Sequence, residues 1–593
     1  MGLGVLDDKV MDHVPGTTRY FDNPDRPLVA AEGDDSGLKC DRSGDVPIIL
    51  VPQPSDDPND PLNWPLWRRD VITFILSLVA TIAVCLGPIL AANTVTLSLW
   101  FSLDFTKIAL LTGYFLLGVG LMGVIFVPSA RIWGKRHAFV FGLIIIIISS
   151  AWAGAVGRNY ESMVAARVIQ GFGVAPYEAL VNVAVGDLYF VHERGKRMAA
   201  TNLAVFGGAF ATPIVVGKMT HTIGWWWSFY VLAILCAVSL PAIIFLCPEM
   251  AFRRDQSLNT DMLSEDEHIA SKPNTTRNGR AEQSLAPADG DAPTDKTSSG
   301  EKPRDEDAIT GAYASSQGGG AAPQIAPMDM APPPPRKKTF VESLALFDGR
   351  KTDDSFFILF ARPFVLFAQP AFLWGALIQG TMIGWTVFIG VILGQFFLGP
   401  PLWWNEVNTG YAYTGAFVGA IIGFLIAGAL SDWSAKKMTA WNGGVYEPEF
   451  RIVLVIPQLV LGCAGLYGFG ISADGLLGEK FHWSAPIAFF GLVVAGMVVG
   501  AVASSLYLVD AYRDLAIEGF TCMIIFKNIF SYALTYKAYD WIQENQTKAT
   551  PVFNALATFQ VVVCLLSIPM YIWGKRIRSF YHRHDMLKKL GLK

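Results

Sequence analysis

Arg167, Glu178, Glu518 and Lys527 lie in long apolar runs, where a charge stands only if it is paired or works. Arg167 and Glu178 are eleven residues apart, about three helical turns, which places them on a similar face of one helix. Glu518 and Lys527 are nine apart on another run, a spacing that puts them on different turns without direct pairing. A charge at mid-bilayer costs about 2.5–3.5 kcal/mol on insertion scales, so each is a functional candidate by default. Glu178 is suited either to accept a coupled proton or to bind the ammonium group of a cationic solute. The competing reading is a static pair that fixes helix packing. Glu518 lies near the end of its run, where a solvated position is expected. Gln369, Gln379 and Asn528 offer hydrogen bonds, either to a ligand or to neighbouring helices.

Other chemistry is missing. None of the eight His lies in the middle of an apolar run, so the paired His of an H-E-x-x-H metal site has no place to form. No Gly-Lys pair is followed by Ser or Thr, which removes the phosphate-cradling loop of nucleotide hydrolases. The seven Cys are scattered and form neither a disulfide framework nor a zinc pattern. A net charge of −4 is not the basic footprint of a nucleic-acid binder. No cofactor, metal or nucleic-acid partner is expected, and uphill movement of a solute would draw on an ion gradient.

The elements that must carry these residues follow from composition. Of 593 residues, 52% are hydrophobic and 16% charged, against about 25% charged in soluble domains. The apolar residues gather into twelve stretches near 71–92, 107–128, 138–156, 162–186, 198–219, 225–247, 364–394, 409–430, 452–471, 485–508, 516–538 and 552–573. Each is close to the ~20 residues that a membrane-crossing helix needs. Continuous rather than alternating runs exclude a β-barrel. The expected fold is an all-α membrane protein with twelve transmembrane helices in two six-helix bundles. The expected parts are a mostly disordered tail at 1–67, a first bundle at 68–247, a largely disordered linker at 248–361, a second bundle at 362–574 and a basic tail at 575–593.

Residues 1–67 show no leader pattern, so the first span is expected to act as its own insertion signal. Lys and Arg concentrate in alternate loops and in the C-terminal tail, which predicts that both termini are cytoplasmic. Trp225 to Trp227, Trp403 and Trp404 read as interfacial belts. Residues 265–335 are rich in Ser, Asp, Gly, Pro and Ala, including Pro332 to Pro335, the composition of a disordered, solvated spacer. Residues 339–361 regain apolar side chains and suggest a surface helix. Asn545-Gln-Thr547 is a glycosylation sequon, with occupancy not expected so near the bilayer.

The halves echo each other, as transporter repeats do. Arg131-Ile-Trp-Gly134-Lys135-Arg136 follows the second span, and Asp432-Trp-Ser-Ala-Lys436-Lys437 follows the eighth. The fourth span ends in Asp187-Leu-Tyr, the tenth in Asp510-Ala-Tyr. Further motifs are Asp60-Pro-Leu-Asn-Trp64-Pro before the first span, Arg167-Val-Ile-Gln170-Gly in the fourth, and Cys247-Pro248-Glu249 after the sixth. With these the chain resembles the major facilitator superfamily, in the fungal twelve-span drug:proton antiporter family, and within it the branch of the yeast histidinol and polyamine permease. The resemblance covers about 57–255 and 338–575.

It implies alternating access by two rocking bundles, proton coupling, a plasma-membrane location and a monomer. Arg167, with Gln170 beside it, resembles the family's central fourth-span Arg, associated with proton transfer. The loop motif implies a gate latch of Arg131, Gly134, Lys135, Arg136, Asp187 and Arg194, with Gly428, Asp432, Lys436 and Asp510 in the second half. Arg131 stands where the family usually has Asp. A basic loop is able to hold Asp187 and release it as the bundles rock; the plainer reading is a topology signal. Gly207, Gly208, Pro213 and Gly217 in the fifth span resemble the antiporters' helix-bend signature, with Thr-Pro for Gly-Pro, or serve ordinary close packing.

The resulting expectation is a secondary transporter, not an enzyme, that moves a small organic solute with protons: an organic cation or polyamine, a drug, or a secondary metabolite. A proton-symport nutrient importer and a non-transporting nutrient sensor are the alternatives.

Overall fold

The computed structural model describes residues 3–8, 10–11, 14–19, 39–41, 48–50, 52–254, 336–443 and 445–592. The spacer expected at 265–335, with Pro332 to Pro335, lies outside the described residues, as does the side chain of Arg194.

The apolar runs fold as helices that we number by span. The first bundle comprises α1 (Leu66–Val84), α2 (Phe105–Trp133), α3 (Arg136–Ala155), α4 (Tyr160–Leu188), α5 (Val191–Ile223) and α6 (Trp226–Leu246). The second comprises α7 (Pro370–Phe397), α8 (Thr414–Trp441), α9 (Pro448–Leu477), α10 (Ser484–Ala511), α11 (Ala516–Glu544) and α12 (Ala549–Leu565), which runs on as Ser567–Arg583. Among the described residues, eleven helical segments are long and apolar enough to cross a membrane. The twelfth, α1, opens with Arg68, Arg69 and Asp70. A short helix, Thr94–Phe101, follows it.

The seventh span starts later than the sequence suggests. A separate helix, Phe356–Leu366, precedes it, and α7 begins at Pro370, because Pro lacks the N–H that a continuous helix needs there. A second short helix, Phe340–Ser343, is closed at its N-terminus by Thr339 and Glu342, each bonding the other's backbone. These two helices replace the single surface helix expected at 339–361.

Each bundle has its own core, built around Leu76, Leu143 and Phe229 in the first and Phe388, Phe469 and Phe553 in the second. The tryptophans divide between core and belt. Trp225 is buried against Trp100 and Phe229, and Trp404 packs on Phe397, whereas Trp227 and Trp403 are exposed.

The end where α2 passes to α3 is tied through Arg131, Glu518 and Arg362 to Leu592, and the end where α8 passes to α9 is tied to Thr17 and Arg578; we call this side the tail face. There β1 (Thr18–Arg19) pairs antiparallel with Val445–Tyr446, and β2 (Cys40–Asp41) pairs with β3 (Ile48–Ile49). The described parts of the N-terminal tail thus hold defined positions.

Candidate functional site

The contact of greatest chemical interest crosses between the bundles. Lys527 of α11 donates its ammonium to Oε1 of Glu178 on α4. Asn528 Nδ2 donates to the other oxygen at 3.4 Å. The Glu178 side chain is 22% exposed and that of Lys527 10%, so the pair is shielded yet still reachable. Small residues place it. Gly113, Gly120 and Gly123 of α2 face Tyr532, Asn528 and Ile524, with a Cβ added at Gly120 only 3.3 Å from the Asn528 side chain. Small residues allow such close helix approach, and α11 therefore lies along α2 with Lys527 turned to α4. One turn beyond Glu178, Asn182 donates to Asn202 Oδ1 of α5 at 2.9 Å.

Arg167 does not join this cluster, despite its similar face on α4. Its side chain is fully buried and its donors are spent on carbonyls: Leu111 O at 3.1 Å, Leu86 O at 2.9 Å and Gly87 O at 3.4 Å. Gln170 Oε1 accepts from it at 3.0 Å, and the guanidinium lies 4.7 Å from the centre of the Phe115 ring. Leu86 and Gly87 follow the end of α1, where a helix leaves its last carbonyls unpaired and favours a cation. Arg167 thereby ties α4 to α1 and α2. Gln170 in turn donates toward Ser149 O and Ser150 Oγ of α3, both at 3.4 Å. Gln379 is half-buried on α7, and its Oε1 has no partner among the described residues.

A second contact between bundles lies at the tail face. Arg131, at the end of α2, pairs with Glu518, at the start of α11. Glu518 is not solvated as expected: its side chain is 3% exposed. Arg362 closes it off, 3.6 Å from Glu518 while also paired with Asp354 at 3.0 Å and bonded to Leu592 O at 2.6 Å. Arg362 and Asp354 come from the stretch before α7. The expected hold on Asp187 is made by Lys135 and stays within the first bundle. Glu518 and Lys527 do not pair, as their spacing predicts.

The turn between α2 and α3 has an organiser that the sequence displayed without a role. Glu249 accepts from the backbone N–H of Lys135 at 2.9 Å and of Arg136 at 3.0 Å. Gly134 has φ +93°, and a Cβ there would sit 2.2 Å from the Glu249 carboxylate, so only glycine serves. Arg136 is buried and donates to the carbonyls of Ser343 and Ile244.

In the second half, Asp510 takes Arg451 at 3.1 Å and the Tyr446 hydroxyl in place of the basic pair after α8. Asp432 and Lys436 are exposed, and Gly428 faces open space. In α5, Gly208 meets Thr81 of α1, and Gly217 meets the Glu406 carbonyl, where a Cβ would lie 2.4 Å away. The Pro213 carbonyl lies against Gly410, and Gly207 is in ordinary contact with Phe417. Glu406 also accepts from Thr96 of the first bundle. Gly207, Pro213 and Gly217 thus lie where the bundles touch, whereas Gly208 packs within the first bundle.

The sequence model of the Major Facilitator Superfamily matches residues 71–514. The chain is 24% identical to Protein HOL1 of Saccharomyces cerevisiae, with 96% of each chain covered. It is 24% identical to the MFS transporter cpaT of Aspergillus oryzae, covering 88% of this chain and 90% of that one. The solved structure of the proton:xylose symporter XylE bound to 6-bromo-6-deoxy-D-glucose superposes with a TM-score of 0.52 at 12% identity, covering 86% of this chain and 96% of that one, which speaks to the fold alone. The chain belongs to the Major Facilitator Superfamily and is a multi-pass membrane transporter, not an enzyme.

Proposed function

We propose that this superfamily member moves a small organic solute by alternating access, coupled to protons, and that Glu178 is the group for which solute, proton and Lys527 compete. The observation that carries this reading is the Glu178–Lys527 pair, set between α4 and α11 of opposite bundles. A carboxylate in that position changes its partner when the bundles rock. It is held by an ammonium in one state, and is free for a proton or a cationic solute in the other. Arg131–Glu518 is the gate contact at the tail face. Arg167 acts by fixing α4 against α1 rather than by touching the solute.

The resemblance to histidinol and polyamine permeases orders the solute classes: organic cations including polyamines, then hydrophobic drugs, then secondary metabolites. The one-sided Lys and Arg distribution supports cytoplasmic termini, and the family supports the plasma membrane and a monomer.

The test is uptake of a labelled polyamine panel, with a hydrophobic cationic dye, in yeast deficient in polyamine transport. Intact protein is compared with Glu178→Gln at two external pH values. Polyamine accumulation that Glu178→Gln abolishes is the expected result. Unchanged polyamine with lowered dye accumulation would make the protein an exporter of hydrophobic cations. Transport of either that ignores Glu178→Gln would return the carboxylate to a packing role.

A further inference from the structure

The N-terminal segment lies bound along the tail face of the second bundle, on a surface that no transport step described above requires. Tyr571 donates to Leu3 O at 3.1 Å, and Leu6 N donates to Ile572 O at 3.0 Å. Lys575 pairs with Asp7 at 3.0 Å, Arg576 donates to Asp7 O at 3.1 Å, and Ser579 bonds Asp8. Val5 and Val14 are buried, Val5 against Ala435, Tyr446 and Phe450. Arg578 donates to Pro15 O, and the Thr17 hydroxyl donates to Glu447 at 2.7 Å. The strand pairing of Thr18–Arg19 with Val445–Tyr446 completes the contact.

Beneath the segment is a dense charge cluster. Arg578 holds Glu447 at 3.0 Å and Glu449 at 2.9 Å, Lys575 holds Glu447 at 2.7 Å, and Arg451 holds Asp510. Gly16, at φ +92°, lies on it so closely that a Cβ would sit 2.9 Å from Asp510 O.

We propose that this surface is a docking site for the chain's own residues 3–8 and 14–19, and that the docked segment is a releasable brake on the second bundle. The segment touches three elements at once: the turn from α8 to α9, the end of α10 at Asp510, and the continuation of α12. A shift of any one against the others meets it. Its release is not prevented by its tether. Between Arg19 and the paired strands β2 and β3 lie residues 20–38, which at about 3.3–3.6 Å each reach on the order of 60 Å when extended, so the segment can leave without pulling on β2.

The test is hydrogen exchange by mass spectrometry on the full chain, alongside solute turnover. Thr17→Glu places a carboxylate against Glu447, Gly16→Val drives a side chain into the Asp510 carbonyl, and Thr17→Ser keeps the donor. Expected are a rise of about tenfold in exchange at 3–19 and 445–450 in the first two variants, parent-like exchange in Thr17→Ser, and unchanged exchange in α4 and α11. Turnover should rise at least about twofold in the first two variants. Unchanged exchange in both overturns the docking. Raised exchange with unchanged or lowered turnover overturns the brake, and loosening of α4 and α11 shows that the bundle itself was damaged and overturns it as well. Exchange needs no solute, so this proposal fails separately from the transport reading.

Discussion

Lys527→Met leaves the Glu178 carboxylate with the 3.4 Å contact from Asn528 as its remaining polar contact to α11. Removing one partner of a fully buried ion pair costs about 3–5 kcal/mol. Glu178 retains 22% exposure and Lys527 10%, so water repays part of the loss and about 2 kcal/mol is the expected destabilisation. Glu178→Gln strands the ammonium in the same way and should cost a similar amount. Joining the two substitutions removes both charges, and a neutral Gln–Met pair should lie within about 1 kcal/mol of the parent. The singles therefore should not add, and the coupling should be about 3–4 kcal/mol. The assay is thermal unfolding of parent, two singles and double in one detergent, with uptake measured on the same samples. Additive singles would refute the reasoning, because no pairing energy would then exist to lose. Uptake separates packing from transport: a double variant that melts like the parent but no longer moves solute assigns the charges to transport.

Arg131→Ala or Glu518→Gln removes the tail-face contact between bundles. If that contact supplies about 1.4 kcal/mol, the balance of closed to open tail face shifts tenfold, and spin labels on the ends of α2 and α11 should report it; distance distributions matching the parent would dismiss the latch. Glu249→Ala strips two backbone N–H groups of their acceptor at the start of α3 and should destabilise by about 1–2 kcal/mol, while Gly134→Ala should be worse; melting curves that coincide with the parent's would show that the turn does not depend on them. Burial pushes the Asp60 carboxyl up, but Arg254 and the N–H groups of Leu62 and Ser55 outweigh it and hold it below the usual carboxylate range. Its pairing therefore stabilises the tail at pH above the unfolded value of about 3.9, and that contribution is lost as pH falls through the lower folded value. Amide exchange at 55–64 should accelerate only there, and acceleration already at pH about 6 would point to another group.

The sequence makes the spans legible because twenty apolar residues in a row have one physical outcome. It also makes the charged candidates legible, since a lone Glu in such a run stands out. Partners are another matter. Lys527 was visible, yet its distance of nine residues from Glu518 said only which contact to exclude; its pairing with Glu178 depends on how α11 lies against α2 and α4. Arg167 and Glu178 share a helix face but serve different neighbours, because the end of α1 presents open carbonyls to one and not to the other. Glu518 read as solvated because the residues that enclose it, Arg362 and Asp354, belong to a stretch whose docking no periodicity announces. The role of Glu249 was recoverable in principle: a Gly at a helix junction and a carboxylate after the sixth span are the two halves of a cap, but nothing short of the fold brings them together.

The two halves solve one problem with opposite sources of charge. A helix N-terminus presents unpaired N–H groups and favours a carboxylate. The third helix of the first bundle begins with Lys135 and Arg136, the wrong sign, and the carboxylate arrives from Glu249 after the sixth helix. The third helix of the second bundle, α9, brings its own carboxylates, Glu447 and Glu449, at its start, and the element after its sixth helix supplies the cation, Arg578. Both arrangements bind the start of the third helix to the chain beyond the sixth, with the charges exchanged. The aspartates that close the fourth and tenth helices follow the same logic: Asp187 takes Lys135 and Asp510 takes Arg451, a base at the start of α3 and of α9 respectively. The repeat is therefore kept as a pattern of contacts rather than of residues, so the matching basic pair after α8 was a poor guide to the partner of Asp510. A cluster that holds helix ends by charge pairs can be rearranged without unfolding a helix, which is the property that a gate at the tail face requires.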